Sequence, residues 1–94
     1  MKTKVTFRHL KSNPDLQEAA LDATKKFEKF YDEIISTDVV FNDDHGKLVE
    51  VIVHVQGNTL VVKENSEDFV KSLYEGTDKM VRQLKKWKEK LTNN

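Results

Sequence analysis

The chain of 94 residues has no cysteine, one proline and three glycines, and its 16 Lys+Arg balance 16 Asp+Glu to a formal net charge of zero. Without cysteine there is no disulfide scaffold, no thiolate-bound zinc and no thiol nucleophile, a pattern that fits a reducing cytosol. So little proline and glycine leaves no linker, and no repeat or low-complexity tract is visible, so residues 1–94 are expected to form a single domain. No apolar run approaches the ~20 residues of a membrane span. The N-terminus alternates polar and apolar residues, unlike the apolar run of a signal peptide. Zero net charge excludes a uniformly basic nucleic-acid coat and an acidic tail protein.

What is present is steep charge segregation. Residues 1–11 carry Lys2, Lys4, Arg8 and Lys11 with no acid, a charge of +4. Residues 79–91 carry Lys79, Arg82, Lys85, Lys86, Lys88 and Lys90 against Glu89, a charge of +5. The intervening segment holds 6 bases and 15 acids, a charge of −9.

Periodicity predicts the elements. Val5 and Phe7 alternate with Lys4, Thr6 and Arg8 as in a half-buried strand over 3–8. Asn13-Pro14 opens a helix with Asn13 as N-cap and Pro14 at its first position. The helix stripe is Leu16, Ala20, Ala23, Phe27, Phe30 and Ile34, ending near residues 31–33. A strand follows over 35–42, with Thr37, Val39 and Phe41 on one face. Asp43-Asp44-His45-Gly46 reads as a turn. Residues 47–55 set Val49, Val51, Val53 and Val55 against Leu48, Glu50, Ile52 and His54. Gly57-Asn58 is a hairpin signal leading to a fourth strand over 59–64. Ser66 is expected to cap a last helix of about 24 residues with the core stripe Phe69, Leu73, Thr77, Met80, Leu84, Trp87 and Leu91. The order β-α-β-β-β-α predicts an α+β fold. Strands one and two are parallel through a right-handed crossover, the remaining strands meander, and both helices lie on one face of the four-stranded sheet.

On the last helix, Lys79, Arg82, Lys86 and Lys90 cluster on the side away from the core, flanked by Gln83, with Lys85 and Lys88 on the opposite flank. On the first helix, Lys25, Lys26 and Lys29 face outward. Two such stripes side by side suit a surface that tracks phosphates. The alternative is a solvated surface, with Asp22 pairing Lys25 and Lys26. His9, His45 and His54 lack metal-ligand spacing, and no phosphate loop or nucleophile elbow is present, so neither metal nor catalysis is expected. Trp87 reads first as packing and second as a base-stacking platform.

The residues carry a resemblance. Lys26-Phe27-Glu28-Lys29-Phe30-Tyr31-Asp32-Glu33-Ile34, His54-Val55-Gln56-Gly57-Asn58 and above all the run from Asp78 to Leu91 resemble the bacterial ribosome hibernation-promoting factors, also called ribosome-associated inhibitors. The pattern D-K-φ-x-R-Q-φ-x-K-x-K-x-K-φ is distinctive as a combination, and the resemblance spans nearly the whole chain. It implies the same β-α-β-β-β-α fold, topologically similar to double-stranded-RNA-binding domains. It also implies a non-enzymatic cytoplasmic protein, a free monomer with no cofactor or small-molecule substrate. Family members bind the small ribosomal subunit and its rRNA in the mRNA channel in starved or stationary cells. There they overlap the tRNA positions and inhibit translation. The family's basic positions fall on Lys26, Lys29, Lys79, Arg82, Lys86, Lys88 and Lys90. With Lys25 and Gln83 from the helix geometry these are the candidate rRNA contacts, and Lys4 and Arg8 are a possible second patch. The chain departs from relatives at Tyr74-Glu75-Gly76-Thr77, at Trp87, where relatives often carry His, and in its neutrality. In length it resembles the short form, or the N-terminal domain of a longer one. Gly76 inside a helix predicts a bend or a close contact. The rival reading is a protein-interaction module docking a basic partner through the −9 segment.

Overall fold

The computed structural model describes residues 1–92. The elements are β1 (Lys2–Arg8), α1 (Pro14–Thr24), α2 (Phe27–Phe30), β2 (Ile34–Asp43), β3 (Lys47–Val55), β4 (Asn58–Ser66) and α3 (Phe69–Thr92). The sheet order is β1-β2-β3-β4, with β1 parallel to β2 and the other pairs antiparallel. The predicted α+β architecture is therefore present.

The inward face of the sheet is the row expected from alternation. Val39, Phe41, Val49, Val51 and Val53 are fully buried beneath Phe27, Leu73, Met80 and Leu84. Each such side chain contributes roughly 1.5–3 kcal/mol by leaving water. Phe41 stacks on Phe7 at 5.4 Å between ring centroids and meets Phe69 edge-on at 5.5 Å. The outward face is mixed, as its sequence predicts. Lys4 and Arg8 are exposed, Ile52 and His54 are half-buried, and His54 Nε2 lies 3.1 Å from Asp38 Oδ2.

Asn13 caps α1 as expected, its Oδ1 accepting from the N–H groups of Asp15 and Leu16 at 3.0 and 3.1 Å. The single first helix does not hold. Lys25 and Lys26 keep helical dihedrals, but the Lys25 N–H bonds to the Asp22 carbonyl, only three residues back, at 3.3 Å. The ladder tightens there, while the Thr24 hydroxyl donates to the carbonyls of Ala20 and Leu21. The helical path resumes as the short α2, and Ile34 belongs to β2 instead of the helix stripe.

Three smaller expectations shift. Val55 pairs with Asn58, so the hairpin loop is Gln56-Gly57, with Gly57 at φ +85°. Asp68, not Ser66, caps α3. Its Oδ1 accepts from Val70 N–H at 3.3 Å, and Ser66 remains in β4 while its hydroxyl accepts from the Asp68 N–H. Leu91, placed on the core stripe by its spacing, is 45% exposed. A 24-residue helix is ~36 Å long and outruns the nine-residue β4 beneath it, ~30 Å long. Gly76 marks a close contact. A Cβ there would stand 3.3 Å from Val51 Cγ2, so its absence lets α3 settle onto the sheet. Among the described residues no helix is long and apolar enough to cross a membrane.

Candidate nucleic-acid interface

Leu73, Thr77, Met80 and Leu84 turn into the core, and the surface of α3 away from them is rich in Lys and Arg from residue 79 onward. What the sequence leaves open is what lies beside each basic residue. The structure divides the expected stripe into two flanks and a crest.

One flank faces β4. Lys79 Nζ bonds both carboxylate oxygens of Glu64, at 2.9 and 3.0 Å. Gln83 Nε2 reaches the Val61 carbonyl at 3.5 Å, on the free edge of the sheet. Beyond it, Lys86 and Lys90 line a groove of about 310 Å³ with Leu60, Gln83 and Trp87. The other flank faces α1 and α2. Lys26 Nζ bonds Asp78 Oδ1 at 2.9 Å. Lys85 Nζ lies over the Phe30 ring, 5.0 Å from its centroid. Lys29, Phe30, Lys85, Lys88 and Glu89 then line a second groove of about 340 Å³ with Thr92. Arg82 is exposed on the crest between the flanks.

The candidates therefore differ in electrostatic availability. Lys25 pairs with Asp22 at 3.5 Å, both side chains open to water. Lys26 and Lys79 are held by carboxylates from other elements. Lys29, Arg82, Lys86, Lys88 and Lys90 have no carboxylate within 4.0 Å among the described residues. These five lie along the C-terminal half of α3 and on the adjoining α2, Lys86 and Lys90 on the β4 flank, Lys29 and Lys88 on the other, and Arg82 between them. Lys4 and Arg8 stand on the opposite, open face of the sheet. There Lys4 neighbours Asp38 across the strand pair, and Lys2, Thr3, Lys4, Ser36 and Asp38 line a separate depression. The fold does not join them to the helical face.

Sequence reasoning missed Glu64 and placed Lys85 outside the candidate site. The signal for Glu64 was present: alternation through Leu60 and Val62 points residue 64 inward at a sheet edge, where a lone acid needs a partner. No three His, Asp or Glu side chains converge as a metal site requires among the described residues.

Solved structures that share this fold include the N-terminal domain of Thermus thermophilus Protein Y and a ribosomal subunit interface protein from Coxiella burnetii. The first has a TM-score of 0.84 at 18% identity, covering 93% of this chain and 99% of that one. The second has a TM-score of 0.87 at 24% identity, covering 95% and 99%. They define the class by architecture, a four-stranded mixed sheet carrying its helices on one face. The sequence goes further, since the family described as sigma 54 modulation protein / S30EA ribosomal protein matches residues 3–92, and the chain belongs to that family. A relative from Pseudomonas putida, named ribosome hibernation promoting factor, is 26% identical over 91 residues, covering 96% of this chain and 89% of the relative.

Proposed function

We propose that this protein is a ribosome hibernation factor that inhibits translation in the cytoplasm of starved or stationary cells. It binds the small ribosomal subunit through rRNA in the mRNA channel and excludes mRNA and tRNA by its bulk. The observation that carries this reading is the cluster of Lys29, Arg82, Lys86, Lys88 and Lys90 without carboxylate partners among the described residues. Membership of the ribosomal family and the name of the Pseudomonas putida relative support it. The mechanism makes and breaks no covalent bond, and the free protein acts as a monomer.

Recognition follows from chemistry. Lysine and arginine on a rigid helix contact phosphates and set position without reading base sequence. Folded rRNA is then recognised by shape and by its unpaired segments. Lys26 and Lys79 contribute less than their positions suggest, because each must first leave its carboxylate. Lys25 belongs to the margin of the site for the same reason, and Lys4 and Arg8 are open to a second rRNA contact only from the opposite side.

Co-sedimentation with purified small subunits at near-physiological salt tests the reading. Saturable binding that competes with mRNA and initiator tRNA is expected, and absence of binding overturns it. Capture of a basic protein that survives nuclease treatment would favour docking through the −9 segment instead.

A further inference from the structure

We propose that the groove between α3 and the outer edge of β4 is a pocket for one unpaired RNA base, stacked on Trp87. The inference deepens the rRNA-binding reading and rests on it for the source of the RNA. The groove holds about 310 Å³ and is lined by Leu60, Gln83, Lys86, Trp87 and Lys90. These five residues combine the three chemistries a nucleotide needs. The indole is a π-face partly packed against the core, so its position is fixed before a ligand arrives. The Gln83 amide offers both a donor and an acceptor, and its bond to the Val61 carbonyl is long, 3.5 Å. Lys86 and Lys90 stand one helical turn apart at the mouth, with no carboxylate within 4.0 Å among the described residues.

A further observation sets Trp87 apart from an ordinary core tryptophan. Its indole Nε1 is buried and has no hydrogen-bond acceptor among the described residues. Buried indole N–H groups normally find one. A packing role alone would be met by Leu or Phe without leaving a donor unsatisfied. A flat aromatic platform beside two cations answers the geometry better.

The occupant is single-stranded or bulged. A base inside a duplex is already stacked on its neighbours and has no free face to offer. An apolar peptide finds only Leu60 and the indole to contact, whereas a nucleotide uses all five residues. The charge at the mouth is also of the sign that a phosphate backbone requires.

Trp87 is the only tryptophan in the chain, so its own emission reports the pocket. The intact protein is titrated with a mixed-sequence single-stranded oligoribonucleotide, a duplex of equal length and tripolyphosphate. Saturable quenching by the single strand alone is expected. Equal quenching by all three, or unchanged emission at saturating single strand, overturns the proposal. Trp87→Leu should weaken single-strand binding roughly fivefold or more, the effect of losing one stacked base. Should that variant fail to fold, Gln83→Glu tests the same groove from its rim by placing a carboxylate where the base edge and phosphate would lie. It should weaken single-strand binding comparably, and unchanged binding counts against the pocket. Co-sedimentation with small subunits runs alongside. Subunit binding with no response of Trp87 to single strand removes the pocket and leaves the hibernation reading standing. Specific quenching without subunit binding does the reverse.

Discussion

Lys79 and Lys86 look interchangeable on a helical wheel, yet they do different work. Lys79 is tied bidentately to Glu64, whose side chain is only 16% exposed, so it acts as a strut between α3 and β4. Lys79→Ala should lower stability by about 0.5–1 kcal/mol in urea unfolding, with little change in the salt dependence of ribosome binding. Lys86→Ala should leave stability unchanged and flatten that dependence by close to one phosphate contact. If both variants flatten it equally, Glu64 does not hold Lys79 in the complex. Gly76 gives a second contrast. Alanine would gain helix propensity of up to ~1 kcal/mol, but its Cβ would press on Val51 Cγ2 at 3.3 Å. Val51 is fully buried and stiff at χ1, so overpacking should win. Gly76→Ala is expected to lose about 1 kcal/mol, and a gain in melting temperature would show that Val51 can yield.

At the scale of elements, the carboxylates inside the basic face set how much of it can meet phosphate. Asp78 reaches from α3 to Lys26, and Glu64 from β4 to Lys79. The double variant Glu64→Gln with Asp78→Asn should release both lysines and tighten small-subunit binding, with a steeper salt slope. Unchanged affinity would mean that the pairs already open at no net cost. The elements themselves were largely legible, because Val49 to Val55 alternate and Leu73, Met80 and Leu84 recur at helical spacing. The interruption at Lys25-Lys26 was not, since both residues stay in the helical region and only the hydrogen-bond partner changes. The division of the basic stripe was also hidden. A wheel drawn for α3 alone has no β4 on one side and no α2 on the other, so it cannot show Lys86 turning toward Leu60 while Lys88 turns toward Lys29. The cap moved from Ser66 to Asp68 because β4 runs two residues further than its alternation of apolar types.

Across the whole molecule, an acidic turn and the lysine-rich half of α3 lie toward opposite ends of a body 44 Å long, with Arg8 at the acidic end opposite Asn42. The Asp43-Asp44 turn lies beside the start of α3, where Glu67 and Asp68 stand, because Lys47 pairs with Ser66. Lys86, Lys88 and Lys90, without carboxylate partners among the described residues, sit toward the other end of the same helix. Physiological screening acts over about 8 Å, so neither end senses the other appreciably. If Lys29, Arg82, Lys86, Lys88 and Lys90 each meet one phosphate, the logarithm of affinity should fall with that of salt at a slope of about −4. A slope near −1 would exclude binding through this cluster. The overhang of α3 carries a separate consequence. Its final turn, with Leu91 exposed, is held mainly by its own ladder of hydrogen bonds, with only the groove beside Lys29 and Phe30 flanking it. Amide protons there should exchange with deuterium by local fraying, while those near Leu84 and Val51 await opening of the core. Docking onto RNA should quiet that turn, so part of the binding enthalpy is offset by lost chain entropy, and the change in exchange rate measures how much.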